Sequence, residues 1–208
     1  GGSSNTASNT NSTVSGGFLN TANGNNSTIS GGRSNTASAC YSTVSGGKYN
    51  SATGSYSFIG GGYKNTSYGF RATIGGGYCN CSCNSHTTVG GGHCNNASGF
   101  RSGVGGGQCN SSTGTYSTIG GGRNNTVSCT SGFIGGGRCN TASYSYSTIG
   151  GGRYHIICSN DGFIGGGYSN RVCINSCCST IGGGECNTVC CGFHGTIAGG
   201  KRNIVSSC

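Results

Sequence analysis

Gly106-Gly107-Gln108-Cys109-Asn110-Ser111-Ser112-Thr113-Gly114-Thr115-Tyr116-Ser117-Thr118-Ile119-Gly120 is one period of a pattern that runs along the whole chain. Counted from the first glycine, position 5 is asparagine and position 14 is isoleucine or valine. The apolar series reads Val14, Ile29, Val44, Ile59, Ile74, Val89, Val104, Ile119, Ile134, Ile149 and Ile164, then Ile181 and Ile197 after longer steps. The polar series reads Asn5, Asn20, Asn35, Asn50, Asn65, Asn80, Asn95, Asn110, Asn125 and Asn140, then Asn170, Asn187 and Asn203, with His155 as the one interruption. At so short a period no unit can bury an apolar face alone, so each must stack on its neighbours. The pattern predicts a solenoid.

Composition agrees. Of 208 residues, 31% are hydrophobic and 47 are glycine, too little apolar volume for an ordinary globular core. Only 6% are charged and the apolar spacing is strict, which sets the chain apart from disordered sequences. Proline, methionine and tryptophan are absent. No apolar run approaches the roughly 20 residues of a membrane helix. The first glycine is already in register with the repeat, as expected of a segment of a longer protein.

Recurrent glycine, serine, threonine and asparagine exclude helix. Written as G-G-x-x-N-T-A-S-G-x-x-S-T-I-G, the unit holds two short alternating stretches, x-N-T-A-S and S-T-I-G, separated by turns. Asn and Ala share the inward face of the first, Ser and Ile/Val that of the second, and threonines point outward. Parallel stacking at about 4.8 Å turns each series into a ladder and gives fourteen coils a length of roughly 65 Å. Small Ala7, Ala22, Ala37 and Ala52 would face the large ladder that includes Ile59, Ile74 and Ile119. Inward amides such as Asn35, Asn50 and Asn65 can satisfy one another from coil to coil. Glycine at position 9, as in Gly24, Gly54, Gly69, Gly99 and Gly114, is expected to supply a turn with positive φ, with Asn9 and Asn84 as substitutes. Residues 1–165 are the regular coils, and 166–208 are less regular coils of the same solenoid.

The run GGxxNTASGxxSTIGGG resembles the head repeat of trimeric autotransporter adhesins, the YadA-like left-handed parallel β-rolls, and is similar to repeats in phage and giant-virus fibre proteins. The resemblance covers essentially the whole chain. It implies a left-handed β-roll, a homotrimer, and attachment through the outer surface to a host protein or glycan, without catalysis or a fixed site signature. The sixteen cysteines depart from the usual adhesin head and favour a viral or phage fibre.

Outward candidates follow from register. Arg123, Arg138 and Arg153 share position 3 on successive coils and form a basic stripe. The net charge is +9, with Asp161 and Glu185 as the only acids. Such a stripe attracts polyanions, and equally keeps a glycine-rich surface soluble. Tyr41, Tyr56, Tyr116 and Tyr146 share position 11, where they could contact a glycan or protein or pack between chains. Cys79, Cys94 and Cys109 share position 4; they are a possible disulfide or thiol ladder, or simply small residues at a tolerant position. Parallel in-register neighbours offer poor disulfide torsions. Cys79, Cys81 and Cys83 alternate along one stretch without a metal-binding spacing, and Cys177-Cys178 and Cys190-Cys191 fall where the period slips, as loop residues. The Asn-x-Ser/Thr triplets at Asn65, Asn80 and Asn110 belong to the inward ladder, and with those at Asn11 and Asn26 they reflect composition rather than glycosylation.

No cofactor or metal is expected. Two acids twenty-four positions apart give no carboxylate pair, and the histidines lack spaced carboxylate partners. Nucleic acid is disfavoured, because the aromatics form no stacking platform. The sequence therefore points to a non-enzymatic, extracellular structural and adhesive segment on a cell or virion surface, whose partners are itself and a host surface. Two rivals remain. One is ice binding through Thr6, Thr21, Thr36 and Thr66, a row that Ser51, Cys81, Asn96 and Ser111 interrupt, and through Thr13, Thr28, Thr43 and Thr73, a row that Phe58, Gly103, Phe133 and Phe163 interrupt. The other is an end-to-end filament, since neither end shows a polar capping unit.

Overall fold

The computed structural model describes residues 1–206. It is an all-β parallel solenoid of about 13 turns built from coils of about 15 residues, with no helix among the described residues. The chain divides into two compact units, Gly1–Arg101 with Gly105–Gly107, and Ser102–Val104 with the chain from Gln108 onward.

Each coil contributes two strands, most of them only two residues long, because glycine and corner residues break the extended backbone on either side. In the first unit one parallel sheet contains Thr6–Ala7, Thr21–Ala22, Thr36–Ala37, Ser51–Ala52, Thr66–Ser67, Cys81–Ser82 and Asn96–Ala97. The facing sheet contains Thr13–Val14, Thr28–Ile29, Thr43–Val44, Phe58–Ile59, Thr73–Ile74 and Thr88–Val89. The second unit repeats the plan, from Ser111–Ser112 to Ile204–Ser206 on one side and from Gly103–Val104 to Thr196–Ile197 on the other. Register is like on like: Ala22 pairs with Ala37, and Ile119 with Ile134. A third row, absent from the two-strand reading of the sequence, is made of single parallel bridges at position 3. It runs from Ser3 to His93 in the first unit and from Gln108 to Lys201 in the second.

The core is the predicted pair of ladders. Ile59, Ile74 and Ile119 are fully buried, as are Ala22, Ala37 and Ala52 opposite. Complementarity operates within most coils, Val172 facing Ser179 being an exception. Where position 7 is Ala, as in Ala22, Ala37, Ala52 and Ala142, position 12 is serine (Ser27, Ser42, Ser57, Ser147). Where position 7 becomes Val127, Ile157 or Val189, the facing residue is Gly132, Gly162 or Gly195. The reason is space: a Cβ on Gly162 would lie 2.5 Å from Ile157 Cγ2, and one on Gly195 2.5 Å from Val189 Cγ1.

Turn geometry corrects one expectation. Gly24, Gly54, Gly69 and Gly114 do not carry positive φ; a Cβ there would instead run into the backbone of the next coil. Positive φ falls on the second glycine of each pair, as in Gly17 (97°), Gly32 (91°) and Gly47 (86°). It also falls on non-glycine residues at positions 4 and 11, such as Ser34 (53°), Cys79 (53°), Tyr41 (58°) and Tyr116 (56°). At these left-handed corners the amide turns back to the preceding coil: Ser34 N donates to Phe18 O, whereas Arg33 N donates forward to Gly47 O. Valine, isoleucine and threonine occupy none of these corners, because branching at Cβ clashes in that conformation.

The pairing of positions 7 and 12 is testable. Gly162→Ser should destabilise by about 1–3 kcal/mol through overpacking, and Ile157→Ala by about 2–5 kcal/mol through the cavity it leaves. The double variant recreates the Ala142/Ser147 pairing, so in a urea-unfolding double-mutant cycle it should lose less than the two single losses together.

Candidate functional site: the outward ladders

The inward polar row is a supporting structure. Asn35 Nδ2 donates to Gly31 O (3.0 Å) in its own coil and to Gly47 O (2.9 Å) in the next, while its Oδ1 accepts from Asn50 N (3.0 Å). Asn50 and Asn65 repeat the arrangement. The second glycine is required beside it, since a Cβ on Gly32 would lie 2.6 Å from Asn35 Nδ2. Asn65, Asn80 and Asn110 are buried in this ladder, which closes those triplets to modification at the side chain.

His155 fills the same slot with a different donor set. Its backbone N–H donates to Asn140 Oδ1 (3.0 Å) and its Nδ1 accepts from Asn170 N (3.1 Å), so that nitrogen must be unprotonated. Nε2 is buried without a completed hydrogen bond. Burial pushes the imidazole pKa below its ordinary value, against smaller opposing contributions from the Gly167 and Asn170 backbone.

Outward, the corner residues and the position-3 bridges set side chains in rows. In the first unit Tyr41 and Tyr56 stack at 4.8 Å and 8°, and Tyr63 and Tyr78 at 5.2 Å and 10°. Tyr78 continues onto His93 at 4.9 Å. Rings stacked along the ladder cover one another's faces, so partners meet mainly edges and hydroxyls. The Tyr56 row continues through Phe70, His86 and Phe100 in edge-on contacts of 5.6–5.9 Å. Arg71 lies over Phe70 at 5.0 Å, and Arg101 over Phe100 at 5.2 Å. Sequence reading passed over Phe70, Arg71, Phe100 and Arg101. Their signal is the tripeptide Gly-Phe-Arg at 69–71 and again at 99–101.

In the second unit Arg123, Arg138 and Arg153 pair directly through backbone bridges and are all exposed. Arg153 reaches over Tyr168 at 6.0 Å. The one ion pair found among the described residues closes the far end of the same row, beyond Tyr168: Lys201 Nζ to Glu185 Oε1 at 3.1 Å. Tyr116 and Tyr146 also lie in this unit, exposed by 50% and 59%, with Ser131 on the coil between them. Of the predicted tyrosine set, Tyr41 and Tyr56 are brought face to face.

Cys79, Cys94 and Cys109 are thiols at left-handed corners, with φ of 53–54°. Cysteine fits there as a small, unbranched residue. Cys81 and Cys83, by contrast, form a disulfide within one coil, Cα to Cα 5.6 Å, which the strand alternation did not suggest. Cys190 belongs to the strand Thr188–Cys190 rather than to a loop. Among the described residues there is no enclosed pocket, and no group of three or more His, Cys, Asp or Glu is placed to hold a metal ion. The chain's sequence matches no known protein family and no curated protein.

The depressed His155 pKa has a definite consequence. The unfolded chain takes up a proton that the folded chain refuses, so this contribution is intact above the ordinary imidazole value of 6.5 and declines as pH falls below it. His155→Asn, which restores the amide ladder, should be at least as stable as the native chain at neutral pH. Its advantage should widen below about pH 6.5; thermal unfolding on both sides of that value measures this.

Proposed function

We propose that this chain is a structural and adhesive fibre segment, acting without catalysis, that holds a repetitive surface in register for attachment to an anionic host surface such as a sulfated glycan. The observation that carries the reading is the Arg123, Arg138, Arg153 row. Like charges directly opposed on neighbouring strands destabilise a sheet. Among the described residues none of these three makes an ion pair, Glu185 further along the row being paired with Lys201, whereas a polyanion laid along the row would neutralise them. Inward groups are consumed by stacking, which leaves function to the outer rows. The resemblance of the repeat to adhesin and fibre heads supports the same reading. It leads us to expect a homotrimer on a cell or virion surface, with a native mass of three chains that persists in reductant.

A second reading, ice binding, draws on the in-register outward threonines Thr6, Thr21 and Thr36 with Thr13, Thr28 and Thr43. On that side Phe58 follows Thr43, and in the second unit Phe133 and Phe163 alternate with Thr118, Thr148 and Thr180. Such bulk interrupts a flat plane, and our reading expects no thermal hysteresis.

Binding to a sulfated polysaccharide should weaken as salt rises and should fall about tenfold in Arg123→Gln/Arg138→Gln/Arg153→Gln, from roughly 0.5 kcal/mol per exposed contact. A neutral polysaccharide should bind neither protein. Unchanged binding of the triple variant would remove the arginine row as the contact surface.

A further inference from the structure

Position 8 carries cysteine on three successive coils of the second unit, Cys158, Cys173 and Cys190. Elsewhere the position holds Ser8, Asn23, Ser38, Thr53, Tyr68, Ser98, Thr113, Ser128 or Ser143, and once Cys83, which is bonded to Cys81. Val172 pairs in register with Val189, and Cys173 N donates to Val189 O (2.9 Å), which sets the two following cysteines side by side. Their sulfurs lie 2.8 Å apart, well inside the separation of about 3.5 Å at which non-bonded heavy atoms rest. Both side chains are half-buried, so small reagents can reach them. Neighbouring parallel strands at about 4.8 Å fall within the Cα separations that disulfides span; register alone favours such a bond poorly because of its torsions, and it is the close approach of these two sulfurs that singles the pair out.

The place matters. The step from Ile164 to Ile181 is the longest in the apolar ladder, and the extra residues leave the coil just after Cys173, where Ile174 is 56% exposed. The next step, to Ile197, is also lengthened, and its irregular segment begins after Cys190. The cysteines thus sit at the last regular position before each insertion, where coil-to-coil register is least enforced by the repeat.

We propose that Cys173 and Cys190 are a disulfide-forming pair, a covalent clasp between these two coils, closed by exchange with a low-molecular-weight disulfide. The thiolate of Cys190 attacks one sulfur of the reagent, forming a mixed disulfide and expelling one small thiolate. Cys173 then loses its proton to solvent and attacks the Cys190 sulfur, expelling the second. Two cysteine thiols and one small disulfide become one protein disulfide and two small thiols, with no other oxidant. Burial, and after it the neighbouring Cys190, raise the Cys173 pKa to about 11, so Cys173 resists ionisation and is written as the second thiol to react. The inference is independent of the attachment reading above.

Oxidised glutathione is the probe. In a chain with Cys177, Cys178, Cys186 and Cys191 changed to serine, cleavage after Arg171, Glu185 and Lys201 yields fragments 172–185 and 186–201, each with one cysteine. After incubation the two should be recovered as one species, lighter than their sum by two hydrogens and separated by reductant. Cys158→Ser should leave the link intact and Cys173→Ser should abolish it. On the native chain, differential alkylation should show Cys173 and Cys190 losing reactivity together, and the closed form should unfold at higher denaturant than the reduced form. Separate fragments with both thiols open to alkylation, or Cys173 recovered linked to Cys158, would overturn the proposal.

Discussion

One side-chain amide per coil holds this protein in register. Each inward asparagine donates to a carbonyl of its own coil and to one of the next, and accepts from the following backbone N–H. Each completed bond contributes about 1 kcal/mol net, and a buried group left without its partner costs more than that. A sliding of one coil over another would orphan several such groups at once. Register is thus enforced by polar satisfaction, with the Ile/Val ladder supplying the apolar burial that keeps water out of it. The second glycine belongs to the same device, since its left-handed backbone and missing Cβ leave room for the amide. His155 shows the tolerance of the design: an imidazole keeps the accepting bond but cannot reproduce both donations.

Two left-handed corners per coil shape the rest. They turn the backbone amide toward the preceding coil and set the side chains at positions 4 and 11 on the outside. Corner residues must lack Cβ branching, yet are otherwise unconstrained, and the chain fills them with tyrosine, arginine, cysteine, histidine, serine and asparagine. That freedom explains why cysteine recurs at position 4 without forming a ladder of disulfides. It also explains the aromatic and cationic rows: once a corner fixes direction, identical register brings side chains to stacking distance, as for Tyr41 and Tyr56.

The inside and the outside therefore obey different rules. Inside, space is tight, so that Ile157 requires Gly162 where Ala142 accepts Ser147. Outside, residues change freely and any run of like residues becomes a surface with a fixed spacing. The arginine row is such a surface, and its uncompensated charge is the physical ground for reading it as a place of contact rather than of stability.

The sequence by itself determined the repeat, the strand character and the inward asparagine and Ile/Val ladders, because period and side-chain chemistry are local and repeat along the chain. The expected small-opposite-large core holds at Ala22, Ala37 and Ala52 but not in later coils, where Ile157 and Ile164 are both fully buried. It also located Arg123, Arg138 and Arg153 on one row, since equal position implies equal register. Only the tertiary structure decided which backbone positions turn left-handed. Position 9 looked like the turn because glycine is common there, but that glycine answers to the neighbouring coil's backbone, a constraint that one coil does not reveal. The third bridge row, the Phe70 and Phe100 contacts and the approach of Cys173 to Cys190 likewise depend on where adjacent coils place their side chains. Periodicity fixes which residues are neighbours; the corners and the insertions decide which way those neighbours face.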